Sequence, residues 1–220
     1  MIQEHHLAVR KTARYYVDGS LGATARDVWI ACHGYGQLAA EFLKDLEPLR
    51  KAGRVIVAPE ALSRFYLEGG FHGPGSKVGA TWMTREDRLA EIEDYVRYLD
   101  ALHEAVFETV DRKAAKLTVF GFSQGTATVS RWVSRGKARP DRLVLWGGLL
   151  PPDLELDGAR AALERLELVF VAGRRDRFVG EEKLSAQVAA LERIGIAPRT
   201  IRHAGGHRLN AEILAELGRH

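Results

Sequence analysis

Five residues, Gly121-Phe122-Ser123-Gln124-Gly125, limit the architecture of this chain more than any other stretch. They follow an apolar run, Leu117 to Phe120, and precede a helix-like stretch from Gln124 to Ser134, so the serine falls on a sharp turn between a strand and a helix. The turn is too tight for side chains at its flanks, which explains glycine at 121 and 125. It lifts a hydroxyl clear of the carboxyl edge of a sheet. A serine that merely caps a helix has no need of glycine on both sides.

The rest of the chain supplies the sheet. Val28 to Cys32, Arg54 to Ala58 and Leu117 to Phe120 are short apolar runs, each followed by Gly or Pro and then by a longer segment. The long segments carry helical spacing: Phe42, Leu43, Leu46 and Leu49 in one, and Leu89, Ile92, Tyr95, Val96, Leu99, Leu102, Val106 and Phe107 in another. The alternation continues with strands Leu143 to Trp146, Leu168 to Ala172 and Arg199 to His203, and helices Glu181 to Arg193 and Leu209 to Leu217. Runs apolar on both faces predict an α/β fold with a mostly parallel central sheet and helices on both sides. Leu7 to Arg10 and Ala13 to Val17, polar and ahead of an Asp18-Gly19 turn, are expected to add N-terminal antiparallel edge strands. Residues 60–84, rich in glycine and aromatics, are expected to form one long loop over the site.

At 220 residues and 46% hydrophobic, the chain is sized for one domain over residues 1–220. Its net charge of +3 is scattered, not gathered into a stripe, so no nucleic-acid partner is expected. No run approaches the roughly 18 apolar residues of a membrane span, and the N-terminus lacks a leader's apolar stretch, so a cytoplasmic location is expected. Cys32 is the sole cysteine, and the histidines lack ligand spacing, so neither a metal nor a cofactor is expected. The turn His33-Gly34-Tyr35-Gly36-Gln37 also lacks the third glycine of a dinucleotide fingerprint.

A serine hydroxyl is a weak nucleophile at neutral pH and needs a histidine to take its proton, with a carboxylate to orient the ring. On such an elbow the acid and then the histidine follow the serine along the chain. Asp176 lies in a loop after the strand Leu168 to Ala172, and His207 follows the last strand through Ala204-Gly205-Gly206. Both fall at strand carboxyl ends, where sites of open α/β sheets collect. Asp153 and Asp157, beyond Pro151-Pro152, and His203, at a strand end, are weaker rivals. An oxyanion needs backbone N–H donors. Gln124 supplies one, and Tyr35, in the glycine-flanked turn after Val28 to Cys32, is chosen for the second. Phe65, Tyr66, Phe71, Trp82 and Phe178 are the expected substrate-binding walls, with Trp146, Leu149 and Leu150 nearby in sequence.

Taken together, His33-Gly34-x-Gly36, Gly121-Phe122-Ser123-Gln124-Gly125, Gly173-x-x-Asp176-x-x-Val179 and Gly206-His207 resemble, in order, the phospholipase/carboxylesterase branch of the α/β-hydrolases. That branch includes acyl-protein thioesterases and small carboxylesterases. The resemblance covers nearly the whole chain and implies an α/β-hydrolase fold, a Ser123-His207-Asp176 triad, an oxyanion hole from Tyr35 and Gln124, and a small-molecule ester or thioester substrate. Ala80-Thr81-Trp82-Met83-Thr84, after a glycine-rich run, departs from better-known members. An acyltransferase or peptidase on the same triad, or a module that binds acyl ligands without turnover, are the alternatives, and a homodimer is compatible with the chain.

Overall fold

A computed structural model describes residues 1–70 and 72–219; Phe71, one of the expected substrate walls, lies outside the described residues. The chain forms, in order, β1 (Tyr15–Asp18), β2 (Asp27–Cys32), α1 (Ala39–Asp45), β3 (Arg54–Pro59), β4 (Ser63–Tyr66), β5 (Val78–Thr81), α2 (Arg88–Phe107), β6 (Lys116–Phe122), α3 (Gln124–Arg135), β7 (Arg142–Trp146), α4 (Leu156–Leu163), β8 (Glu167–Gly173), α5 (Glu181–Arg193), β9 (Arg199–His203) and α6 (Ala211–Leu217).

Seven strands join in one sheet in the order β1-β3-β2-β6-β7-β8-β9. Only β1 runs antiparallel, pairing Tyr15 with Pro59 through Asp18 with Ile56. The parallel strands alternate their side chains between two cores. Val28, Ile30 and Cys32 of β2 join a core covered by α2, α3, α4 and α5, whereas Trp29 and Ala31 face the core under α1 and α6. This double burial is why β2, β3, β6, β7 and β8 read as unbroken apolar runs. In α2, Ile92, Tyr95, Leu99, Leu102 and Val106 recur every three or four residues and form its buried face.

Three expectations change. Leu7 to Arg10 forms no strand: Leu7 and Val9 are exposed, so a strand there would have no apolar face to bury. Residues 60–84 are not one irregular loop, because β4 and β5 pair as an antiparallel hairpin from Ser63 with Thr81 to Tyr66 with Val78. The last helix begins two residues later than expected, where the Asn210 side chain accepts from Ile213 N–H at 3.0 Å and caps it. No described helix is long and apolar enough to cross a membrane.

Candidate active site

The sheet delivers side chains from the carboxyl ends of β6, β8 and β9 to one place. Ser123 holds φ +53° and ψ −116°, a backbone conformation that L residues rarely adopt. Ser123 N–H donates to Trp146 O at 2.8 Å, tying the turn to the end of β7. The helix behind it can approach β2 only through glycine: a β-carbon on Gly125 would land on the Cys32 carbonyl oxygen and 2.8 Å from that of His33.

His207 Nε2 lies 2.8 Å from Ser123 Oγ, and His207 Nδ1 lies 2.8 Å from Asp176 Oδ2. With the proton on Nδ1, that nitrogen donates to the carboxylate and leaves the Nε2 lone pair facing the hydroxyl. Asp176 has its other oxygen occupied by Phe178 N–H at 2.9 Å and Val179 N–H at 3.3 Å. Its side chain is 1% exposed, and among the described residues its ion-pair partner is His207, not Arg174, Arg175 or Arg177. The imidazole sits between two rings, Phe122 at 5.2 Å between centroids and Phe178 edge-on at 4.7 Å.

The rival groups have other work. Asp153 binds Arg131 through two hydrogen bonds of 2.6 and 3.0 Å, with Arg88 and Arg135 close by. The Arg131 hydrogen bond holds its carboxyl down at about 2. His203 is buried against Trp146 and accepts from Gly205 N–H at 3.1 Å; burial lowers its pKa. His33 is wholly buried, with Nδ1–H donating to Gly34 O at 2.8 Å and Nε2 accepting from Ala61 N–H at 3.1 Å, and burial likewise lowers its pKa.

The turn after β2 packs against the serine: a β-carbon on Gly34 would stand 3.1 Å from Ser123 Cβ. Neither Tyr35 N–H nor Gln124 N–H has an acceptor among the described residues. Gln124 directly follows the serine, and Tyr35 lies in the turn that packs against it, so both N–H groups belong to the segments around Ser123 and neither is spent on an internal acceptor.

The expected walls divide. Phe178 is half-exposed beside His207, and Phe65 packs on Tyr35 at 5.2 Å. Tyr66, the next residue of β4, points to the opposite face by strand alternation and stacks on His72 at 3.9 Å. Trp82 is 2% exposed and lines no open surface: its indole N–H donates to His33 O at 2.9 Å and its ring packs on Tyr95. Trp146 is likewise core, its indole donating to Arg208 O at 3.0 Å. A cavity of about 390 Å³ opens beside His207, walled also by Gln37, Asp45, Phe122, Arg208 and Leu209. Sequence reading missed Gly147, which has φ +64° and approaches the imidazole so closely that a β-carbon there would stand 3.0 Å from His207 Cε1; the Gly147-Gly148 pair right after β7 was the available signal.

The sequence and fold were compared with known proteins. A model of the serine hydrolase (FSH1) family matches residues 30–211. No curated protein matches. Acyl-protein thioesterase 2 of Zea mays superposes with a TM-score of 0.69 at 18% identity, over 94% of this chain and 97% of that one. A phospholipase/carboxylesterase from Dyadobacter fermentans gives 0.67 at 15% identity, over 96% and 97%. A Bacillus cereus carboxylesterase gives 0.62 at 13% identity, over 94% and 92%. The shared architecture is the α/β-hydrolase fold.

Proposed function

The chain belongs to the serine hydrolase (FSH1) family, and from that premise we propose that it cleaves carboxylic esters or thioesters through an acyl-enzyme formed on Ser123. The observation that carries this reading is the unbroken line Ser123 Oγ, His207 Nε2, His207 Nδ1, Asp176 Oδ2, with 2.8 Å at both hydrogen bonds. Thioesterase and carboxylesterase neighbours of the same fold support the substrate class, and the single seven-stranded sheet supports treating residues 1–220 as one domain.

In this mechanism Ser123 Oγ attacks the acyl carbon while its proton passes to His207 Nε2. Asp176 stabilises the imidazolium without taking the proton. The carbonyl oxygen becomes an oxyanion between Tyr35 N–H and Gln124 N–H. As the carbon-oxygen or carbon-sulfur bond breaks, His207 returns the proton to the departing alcohol or thiol. Water then attacks the acyl-enzyme with His207 as base, and the proton goes back to Ser123 as the acid leaves. Apolar Phe178, beside His207, and Phe65, against Tyr35, suit the acyl side.

Replacing Ser123 with Ala should abolish fluorophosphonate labelling and reduce nitrophenyl-ester hydrolysis to the about 10³- to 10⁴-fold over water that a site without its nucleophile retains. Retained labelling or near wild-type turnover would refute the reading. Product analysis with added alcohols or peptides separates hydrolysis from acyl transfer and peptidase activity.

A further inference from the structure

The segment that ends β5 is stitched to both halves of the proposed oxyanion site. Towards the His33–Gln37 turn it makes three hydrogen bonds: Gly36 N–H to Ala80 O at 2.9 Å, Ala80 N–H to Gln37 O at 3.2 Å, and the Trp82 indole N–H to His33 O at 2.9 Å. Tyr35 lies within the stretch so clamped. Towards the elbow it is held by one side chain, that of Gln124. The Gln124 amide nitrogen donates to Met83 O at 2.8 Å and to Thr81 Oγ1 at 2.9 Å, and its amide oxygen accepts from Trp82 N–H at 3.1 Å. Thr81 Oγ1 donates in turn to Met83 O at 2.9 Å.

This set is satisfiable only by a carboxamide. Trp82 offers a donor and Met83 an acceptor, so the side chain must present an oxygen acceptor and an N–H donor side by side, as a neighbouring peptide unit would. A carboxylate has no proton for Met83 O, and an aliphatic chain leaves both backbone groups unpaired.

We propose that the Gln124 carboxamide is a positioning residue of the oxyanion site: it holds Thr81–Met83, and through that segment the His33–Gln37 turn, at the spacing that lets Tyr35 N–H and Gln124 N–H share one oxygen. The inference rests on the oxyanion roles proposed above for those two N–H groups. It is separate from them, because replacing the side chain of residue 124 leaves its backbone N–H in place. The hairpin that carries β5 thereby becomes the strut between two loops that are otherwise distant in sequence.

The test compares Gln124→Glu with Thr81→Val and Thr81→Ser, using Ser123→Ala as the control for the mechanism itself. For each variant kcat and KM for a nitrophenyl ester, the inhibition constant of a trifluoromethyl ketone, whose serine adduct carries an oxyanion, and the melting temperature are measured. Gln124→Glu should lower kcat by about 10- to 100-fold, as expected for a donor displaced but not deleted, with KM within about threefold. Ketone affinity should fall in parallel with kcat. Thr81→Val should show the same pattern more weakly, and Thr81→Ser, which keeps the hydroxyl, should match wild type. An inactive Ser123→Ala beside a Gln124→Glu variant with wild-type kcat or ketone affinity overturns the positioning role alone; an active Ser123→Ala overturns the mechanism. A fall in melting temperature with kcat unchanged makes the strut merely structural and also overturns it. If Gln124→Glu does not accumulate as folded protein, the Thr81→Val and Thr81→Ser comparison decides: equal kcat and equal ketone affinity in the two reject the proposal.

Discussion

Gly147 packs against the His207 imidazole: a β-carbon added at Gly147 would come 3.0 Å from His207 Cε1 and 3.1 Å from Nδ1. That is the edge of the ring that faces Asp176, so the added methyl would turn the imidazole away from the line it forms with Ser123. Gly147→Ala should lower kcat by up to about 10-fold, since the ring must give by only a few tenths of an ångström where a 1 Å misplacement can cost about 100-fold, with KM little changed. The positive φ at this position adds a stability loss of about 1 kcal/mol, read as a lower melting temperature. Wild-type kcat in the folded variant would show that the ring tolerates the displacement.

Asp176→Asn keeps the size of the side chain but offers His207 Nδ1 an amide, which favours the wrong tautomer. The expected fall in kcat is about 10⁴-fold, with little change in KM. Steady-state kinetics beside a thermal melt checks this, since the variant should remain folded.

Gly125→Ala is a folding variant more than a kinetic one. The methyl would meet two backbone carbonyl oxygens, of Cys32 and His33, and neither can swing aside as a flexible side chain would. Because α3 must then lift off β2, a loss of about 2 kcal/mol or more is expected, of the size seen for overpacked cores. Denaturant unfolding of Gly125→Ala beside Ser123→Ala, which removes an atom and adds none, is the comparison; equal midpoints would contradict it.

Acid should destabilise the protein in two separate windows. Burial holds His33 and His203 below the ordinary imidazole value of 6.5. The unfolded chain therefore binds more protons, and stability present above pH 6.5 is lost as the pH falls through the lowered folded values. Asp153, held at about 2 against an ordinary 3.8, adds stability that is present above 3.8 and disappears between roughly pH 4 and pH 2. Asp153→Asn should cost about 1–2 kcal/mol at pH 7, discounted for its partly exposed pairing, and should remove the lower window. Urea titrations from pH 8 to pH 2 on both proteins test the slopes.

The parallel strands β2, β3, β6, β7 and β8 were legible because they are buried on both faces, so a run such as Val28 to Cys32 has few polar interruptions. The spots holding Ser123 and Asp176 were legible for a related reason, since each follows such a run; His207 follows the polar, half-buried edge strand β9 and was legible through Ala204-Gly205-Gly206 and its place after the acid in the chain. What escaped notice depends on contacts across the chain. The hairpin of β4 and β5 is only four residues per strand, and its partner residues Ser63 and Thr81 are far apart in sequence. Trp82 looked like a pocket wall because aromatics near a site often are, but its indole N–H finds His33 O inside the core. The helix α4, Leu156–Leu163, buries little beyond Ala159 and Leu163, too few positions to reveal a period. Phe65 and Tyr66 could not be told apart in the sequence, because neighbouring strand residues face opposite ways and the fold alone determines which of the two packs on Tyr35.

Cys32, whose carbonyl oxygen abuts Gly125, has a side chain wholly sealed in the core and a thiol pushed well above its usual range by that burial. Maleimide and iodoacetamide dyes consequently have no native target in the folded protein. A Glu68→Cys variant on the exposed turn beyond β4 would accept a single fluorophore or spin label without background, turning the hairpin into a site where motion beside the serine can be watched during turnover.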